Sequence, residues 1–294
     1  MPNDAAAHHP AMPAAAERTP LHEYELSEED FQHIRRLVHQ RLGIALADSK
    51  RELVYGRLCR RLRALQLRTF RSYLQRVDCD IAGELQHFCN AITTHLTAFF
   101  RERHHFEFLA QQLLPALAHG HGVGRRLRVW CAGCSSGEEP YSIAMVLLEN
   151  LRHLRDWDIR ILATDADTDV LRHARAGHYS REQLAKVEPE RVRRWFLPAP
   201  DARHFTVREQ LRQLVRFRIL NLVDRWPMQG PIDVIFCRNV MIYFDRETQR
   251  QIVARMAALQ RPGDHLILGH SESLLQVSQQ YQLLRDTIHR RLAP

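Results

Sequence analysis

From Leu127 onward the chain alternates between short apolar, β-rich runs and longer helical patterns, and this alternation limits the fold more than any other feature. The runs read "LRVWCA" at 127–132, "DIRILATD" at 158–165, "LVRFRILNL" at 214–222, "IDVIFC" at 232–237 and "HLILGH" at 265–270, with helices expected from Pro140, Val170 and Glu247. Strands separated by helices cannot pair as tight hairpins, so each crosses over and returns in the same direction. The expected fold is α/β, a parallel sheet with helices on both faces.

Before Leu127 the texture is helical. "LSEEDFQHIRRLVHQRLGI" offers Ser27 as N-cap and an acidic first turn, repeats Phe31, Ile34, Leu37, Val38 and Leu42 at helical spacing, and ends near Gly43. A second helix in "SKRELVYGRLCRRLRALQL" carries Val54, Leu58, Leu62 and Leu65 on its apolar stripe, with Arg57, Arg60 and Arg61 on a neighbouring face. Two more are expected in "FRSYLQRV" and "GELQHFCNAI". Residues 21–90 thus read as a small all-helical domain, 91–126 as a connector and helix, and 127–294 as the α/β domain. Residues 1–20, rich in Ala, Pro and His, read as a disordered tail in which adjacent His8 and His9 are too little to hold a metal.

The formal charge of +8 points to an acidic partner, which could be nucleic acid, a membrane surface or an acidic protein, but the basic residues are spread along helix faces throughout. No apolar run approaches the roughly 18 residues of a membrane span, and no secretory signal layout opens the chain. A cytoplasmic protein without membrane insertion is expected. The six cysteines, at 59, 79, 89, 131, 134 and 237, are too sparse for a disulfide scaffold and read as reduced core residues.

Cys131 and Cys134 nonetheless form a Cys-x-x-Cys pair after a tryptophan. A thioredoxin-type dithiol needs its second cysteine in the first turn of a helix. Here Ser135, Ser136 and Gly137 follow it, and Pro140 suits a first helical position, so the cysteines fall in a loop. A zinc site would need two further ligands, and Cys237 is the only other cysteine in the α/β region. The loop reading explains more residues: a strand, a bend at Gly133 and Gly137 that lets a ligand approach the backbone, then a helix, the form that cradles a nucleotide-like cofactor.

Glu138 and Glu139 at that helix start would repel a pyrophosphate and welcome positive charge, which favours a sulfonium and ammonium ligand over a dinucleotide. Asp165 ends the next strand, where a ribose-binding carboxylate belongs, while Asp167 fits the N-cap of the following helix. Asp165, Asp167 and Asp169 imitate the start of a calcium loop, but Val170 stands where that loop needs glycine and Ala176 where it needs glutamate.

Together, "ITTHLTAFFRERHHF", "SSGEEPYSIAM", "FCRNVMIYFD" and "GHSES" resemble the CheR family, the chemoreceptor glutamate methyltransferases of bacterial chemotaxis, over roughly residues 25–292. The resemblance implies a small all-α domain followed by a class I, Rossmann-like S-adenosylmethionine-dependent methyltransferase domain with a β-subdomain inserted at about 196–218. It implies that Thr97 and Arg101 contact the donor's methionine end and Glu139 its ammonium. Asp165 would take the ribose, Asn221 and Leu222 the adenine, and Arg238 and Asn239 the floor of the site. His95 stands where the family usually has asparagine, and an imidazole can still donate one hydrogen bond. Arg101 and Tyr243 are the implied catalytic pair, orienting donor and acceptor without moving protons. The implied acceptor is a glutamate on a chemoreceptor's acidic cytoplasmic helical bundle, with the face of Arg57, Arg60 and Arg61 as its docking surface. A monomer without a metal is expected.

The rival is an RNA methyltransferase or nucleic-acid binder, suggested by the charge and the arginine-rich helix at 50–68. Base-directed amino methyltransferases often carry an Asn-Pro-Pro-aromatic turn, whereas the corresponding place reads "CRNVMIYF", and no RNA-binding aromatic signature occurs elsewhere.

Overall fold

The computed structural model describes residues 23–120, 126–150, 157–201 and 203–293, so the tail expected at 1–20, with His8 and His9, lies outside the described residues. Helix α1 (Glu28–Leu42) starts where Ser27 accepts the Asp30 N–H and stops where Gly43 turns left-handed at φ 70°. With α2 (Arg51–Ala64), α3 (Phe70–Asp78, capped by Thr69) and α4 (Glu84–Ile92), it encloses a core of Ile34, Leu58, Leu62, Phe70, Tyr73 and Phe88. The connector leads into α5 (His104–Phe108), a π-helical turn at Leu109–Leu113, and α6 (Leu114–Gly120).

The α/β unit then runs β1 (Arg126–Ala132), α7 (Glu138–Asn150), β2 (Asp158–Asp165), α8 (Thr168–Ala176), β3 (His178–Ser180), α9 (Pro189–Trp195), β4 (Phe196–Pro198), β5 (His204–Val207), α10 (Glu209–Leu214), β6 (Val215–Ile219), β7 (Val234–Cys237), α11 (Arg246–Ala258), β8 (His265–Leu268), β9 (Tyr281–Arg285) and β10 (Ile288–Arg291). The main sheet has the order β6-β2-β1-β7-β8-β10-β9. Strands β6, β2, β1, β7 and β8 pair in parallel, and β10 is antiparallel to both of its neighbours. All five runs expected as strands lie in this sheet. The chain builds outward from β1 to β2 and β6, then jumps back to β7 on the other side of β1, which creates a topological switch between β1 and β7. Ligands of open α/β sheets bind beyond the strand carboxyl ends at such a switch.

Three expectations need correction. The small sheet has the order β3-β5-β4 and spans 178–207, whereas Val215–Ile219, placed at the end of a 196–218 insertion, pairs with Ile161–Asp165 in the main sheet. Strands of three or four residues are too short to show a period, and the buried Val215 and Phe217 are what bind β6 to the core. Helix α7 begins at Glu138, not Pro140, because Gly137 at φ 99° makes the turn and a proline in the first helical turn owes no hydrogen bond. The hairpin β9–β10 was not expected from the sequence, since β9 leaves Gln282 to Arg285 exposed and shows no alternation.

The all-α domain sits on the switch. The Ala45 N–H donates to the Tyr243 carbonyl at 2.9 Å, Ile44 and Phe244 form an isolated antiparallel bridge, and His39 faces Asp245 at 3.0 Å. Asn221 Nδ2 donates to the Arg41 carbonyl.

Candidate active site

Beyond the ends of β1, β2 and β7 lies a cavity of about 730 Å³. Its walls come from both domains: Leu42–Ala47 and α2 on one side, the 92–97 segment and Arg101 across from them, and Gly133, Ser135, Glu139, Asp165, Leu220–Leu222, Arg238–Val240 and Ile242–Phe244 from the sheet end. The residues expected at the donor site, namely His95, Thr97, Arg101, Glu139, Asp165, Asn221, Leu222, Arg238, Asn239 and Tyr243, all line this one space.

The loop after β1 is held by its own protein. A Cβ on Gly133 would lie 2.3 Å from Val240 Cγ2, and one on Gly137 2.8 Å from the Tyr179 hydroxyl, so both positions need glycine for packing, and of the two Gly133 also lines the cavity. Cys131 is the penultimate residue of β1 and Cys134 lies in the loop, both buried. Burial pushes both thiols well above their ordinary pKa, and the described cysteines are all free. Thiols held protonated and out of solvent are not the nucleophile of a dithiol enzyme.

Asp167 is the helix N-cap its position suggested, and Asp165 is the acid that lines the cavity. Asp167 caps α8, accepting the Asp169 and Val170 N–H groups on Oδ1 at 2.7 and 3.2 Å. Its Oδ2 meets Thr93 Oγ1 at 3.0 Å and His95 Nε2 at 2.8 Å, so His95 spends that nitrogen on the protein. Burial raises the Asp167 carboxyl, but its bonds to His95 and the helix N–H groups outweigh this and leave it below the ordinary range. Asp165 lines the cavity, accepting the Ser135 N–H at 2.8 Å and the Asp167 N–H at 3.0 Å while burial pushes its pKa up.

The acid pair at the start of α7 also separates. Glu138 bonds Ser136 Oγ at 2.6 Å and Gln183 Nε2 at 3.1 Å and does not line the cavity. Glu139 does, but it is held by Arg238 at 2.8 Å, which reduces the free negative charge expected there. Burial still pushes Glu139 upward against the pull of Arg238. Arg238 also donates to the Arg101 carbonyl and lies 3.4 Å from Glu102, so its guanidinium ties α7 to the connector. Arg101 in turn donates to the Leu96 carbonyl at 2.6 Å. The cavity therefore presents carboxylates and guanidinium groups side by side, which suits a zwitterion better than a simple cation.

Sequence reasoning missed two residues. Glu102 has its pKa lowered to about 2, where burial, which raises it, is overcome by His270 and Arg238. Its oxygens meet His270 Nδ1 at 2.9 Å and the His270 N–H at 3.2 Å, and one ligand atom each from Glu102, His104 and His105 lies within 4.8 Å of the others. Glu272, 6% exposed, accepts the N–H groups of Asn239, Val240, Met241, Ile242 and Gly269 at 2.8, 2.8, 2.7, 3.4 and 2.6 Å. It fixes the loop that carries Asn239 (φ 58°) and Tyr243. Glu272 belongs to the "GHSES" run, but nothing local in that run says which loop it holds.

The expected docking arginines do not form one free face. Arg61 makes a two-bond pair with buried Glu84 at 2.9 and 2.7 Å. Arg57 bonds the Ile92 and Thr93 carbonyls and Thr94 Oγ1, pinning the segment that leads to His95. Arg60 alone is exposed.

A cavity at the switch point of a Rossmann-like sheet, with an acid ending the second strand and an antiparallel strand next to the edge, is placed to take a nucleotide-like ligand. Residues 95–289 match the family described as CheR methyltransferase, SAM binding domain, and residues 29–93 match CheR methyltransferase, all-alpha domain. The chain is 46% identical over 270 residues to chemotaxis protein methyltransferase 2 of Pseudomonas aeruginosa, covering 91% of this chain and 94% of that one. It is 43% identical over 269 residues to the chemotaxis protein methyltransferase of Escherichia coli, covering 90% and 91%. The chain belongs to the CheR methyltransferase family.

Proposed function

We propose that this chain transfers a methyl group from S-adenosylmethionine to the side-chain carboxylate of glutamates in chemoreceptor cytoplasmic helices, giving glutamate methyl esters and S-adenosylhomocysteine in chemotactic adaptation. The observation that carries this reading is the cavity itself, whose acids and guanidinium groups match the charges of the donor. Glu139 would face the donor's ammonium, with Thr97, Arg101 and His95 around its methionine end. Asp165 would accept the ribose hydroxyls, and Asn221 and Leu222 would flank the adenine. Arg238 and Asn239 would form the floor.

Bound S-adenosylmethionine supplies an electrophilic methyl group on a sulfonium. An acceptor glutamate, with a pKa of about 4.3, is more than 99% ionised at neutral pH, so the reaction needs no general base and no metal. What the chain must do is align the carboxylate and exclude water from it. Tyr243, on the cavity wall in a turn fixed by Glu272, and Arg101, anchored on the Leu96 carbonyl, would make that alignment. We take the enzyme to act as a cytoplasmic monomer to which the receptor helices come; among the described residues no helix is long and apolar enough to cross a membrane.

The test is transfer of labelled methyl groups to receptor-rich membranes and, in parallel, to total RNA. Base-labile label on receptor protein is the expected result. Label on RNA alone would replace this reading with the nucleic-acid one.

A further inference from the structure

Three of the large apolar side chains that solvent reaches stand around one opening. Leu53 is 44% exposed, Leu96 79% and Ile242 49%, and all three line the cavity. They come from segments far apart in sequence that hydrogen bonds lock together. Leu53 lies one turn before Arg57 on α2, and Arg57 holds the Ile92 and Thr93 carbonyls and Thr94 Oγ1, two residues ahead of Leu96. Ile242 adjoins Tyr243, whose carbonyl takes the Ala45 N–H. The apolar groups are thus fixed in place around the mouth rather than carried on loose loop tips. Exposed apolar groups gathered at one site mark a binding surface, whereas single scattered ones do not.

Charge says what kind of partner would cover them. Lys50 lines the same cavity, Arg60 follows Leu53 at i+7 on α2, and both are exposed. Among the described residues neither side chain makes a hydrogen bond or ion pair, while Arg57 and Arg61 are engaged within the domain. A surface with apolar contacts at its centre and unspent cations at its edge complements a helix with apolar residues beside acidic ones at one-turn spacing.

We propose that Leu53, Leu96 and Ile242 form an apolar collar that seats an acidic, amphipathic acceptor helix, gripping apolar side chains a turn before and after the methyl-accepting glutamate. The collar selects glutamates by their apolar neighbours and seals the mouth against water while the carboxylate is inside; Lys50 and Arg60 meet acidic residues on the helix flank. This rests on the function proposed above. Apolar contact is little affected by salt, so the collar supplies the part of acceptor binding that persists when charge is screened.

The experiment uses the full chain, a purified receptor cytoplasmic fragment and S-adenosylmethionine. The triple variant Leu53→Ser, Leu96→Ser, Ile242→Ser changes only exposed side chains. Its KM for the receptor fragment should rise about tenfold, at low and high salt alike, because three apolar side chains at the centre of the contact lose their burial. Its calorimetric Kd for the donor should stay within about twofold of wild type, which also reports a folded site. Leu96→Ser alone should show an intermediate rise in KM with the same donor Kd. If the wild type methylates the fragment and the triple variant keeps its KM, the collar is refuted. If the wild type binds donor but never methylates the fragment, the proposed acceptor is wrong and the collar falls with it. If sedimentation shows a wild-type dimer that the triple variant abolishes, the collar is a contact between copies, and the inference is overturned.

Discussion

Replacing Glu272 by glutamine tests how the loop of Asn239 to Tyr243 is held. The five groups that meet its carboxylate are all N–H donors, three on Oε1 and two on Oε2, and burial is what pushes its pKa upward. No acceptor stands ready for a proton, so the arrangement suits an ionised carboxylate. An amide has one acceptor oxygen. Whichever way it turns, at least two N–H groups lose their partner and face an NH2, at about 1–3 kcal/mol each, or ~2–6 kcal/mol in all. For a chain of 294 residues that is roughly 3–10 °C in melting temperature. Turnover should suffer as well, since Asn239 and Tyr243 ride on the loop, and a shift near 1 Å at a reacting centre costs about a hundredfold. The assay pairs circular-dichroism melts with methyl transfer at saturating donor, on Glu272→Gln and the charge-keeping Glu272→Asp. A glutamine variant that melts within about 2 °C of wild type and turns over normally would refute the reasoning, because the carboxyl would then be neutral in the native protein.

Asp165→Ala should weaken donor binding about tenfold or more, ~1.5–3 kcal/mol, as measured by calorimetry, and should also lower the melting temperature because the Ser135 and Asp167 N–H groups lose their acceptor. Cys134→Ser should keep donor affinity, and that affinity should not respond to thiol reductants, since burial holds this thiol protonated; redox-dependent binding would reopen the dithiol. Acid should destabilise the fold well above carboxylate pH. Burial lowers His105 to about 3 and His265 to about 4, so below an ordinary pKa of about 6.5 the unfolded chain takes up protons that the native one refuses. Asp264, raised by burial to about 6, is protonated in the native state first and works the other way. From pH 7 to pH 5 the two histidines withdraw ~2 kcal/mol each and Asp264 returns ~1, so urea denaturation should show a net loss of ~2–3 kcal/mol; a flat profile over that range would show that the histidines are already protonated in the fold.

The elements legible from sequence were those whose signal is local. Ser27 and Gly43 bracket α1 as read, because a cap acts within three or four residues of itself. Asp167 could be told from Asp165 for the same reason, since only one of them stands just before the first helical residue. Pairings across the fold were hidden. Arg61 looked like a docking charge because its partner, Glu84, is 23 residues away on another helix. Glu139 looked like free negative charge because Arg238 reaches it only once β7 lies beside β1. The motif resemblance named Arg238 and Asn239 but not Glu272, which touches the loop through backbone N–H groups that leave no side-chain pattern to read.

The cavity is walled by two separate hydrophobic cores, with Leu42–Ala47 and α2 on one side and the sheet end on the other. A molecule that touches both walls adds cohesion between units that also meet through hydrogen bonds and through Ala166 packed on the all-α core. A ligand at a hundred times its Kd adds about 2.7 kcal/mol to whatever state it prefers. Here that state is the joined pair. If the methyl donor spans both walls, its supply becomes a mechanical input: as donor falls, the helical cap should be held less firmly to the sheet and protease nicking should rise.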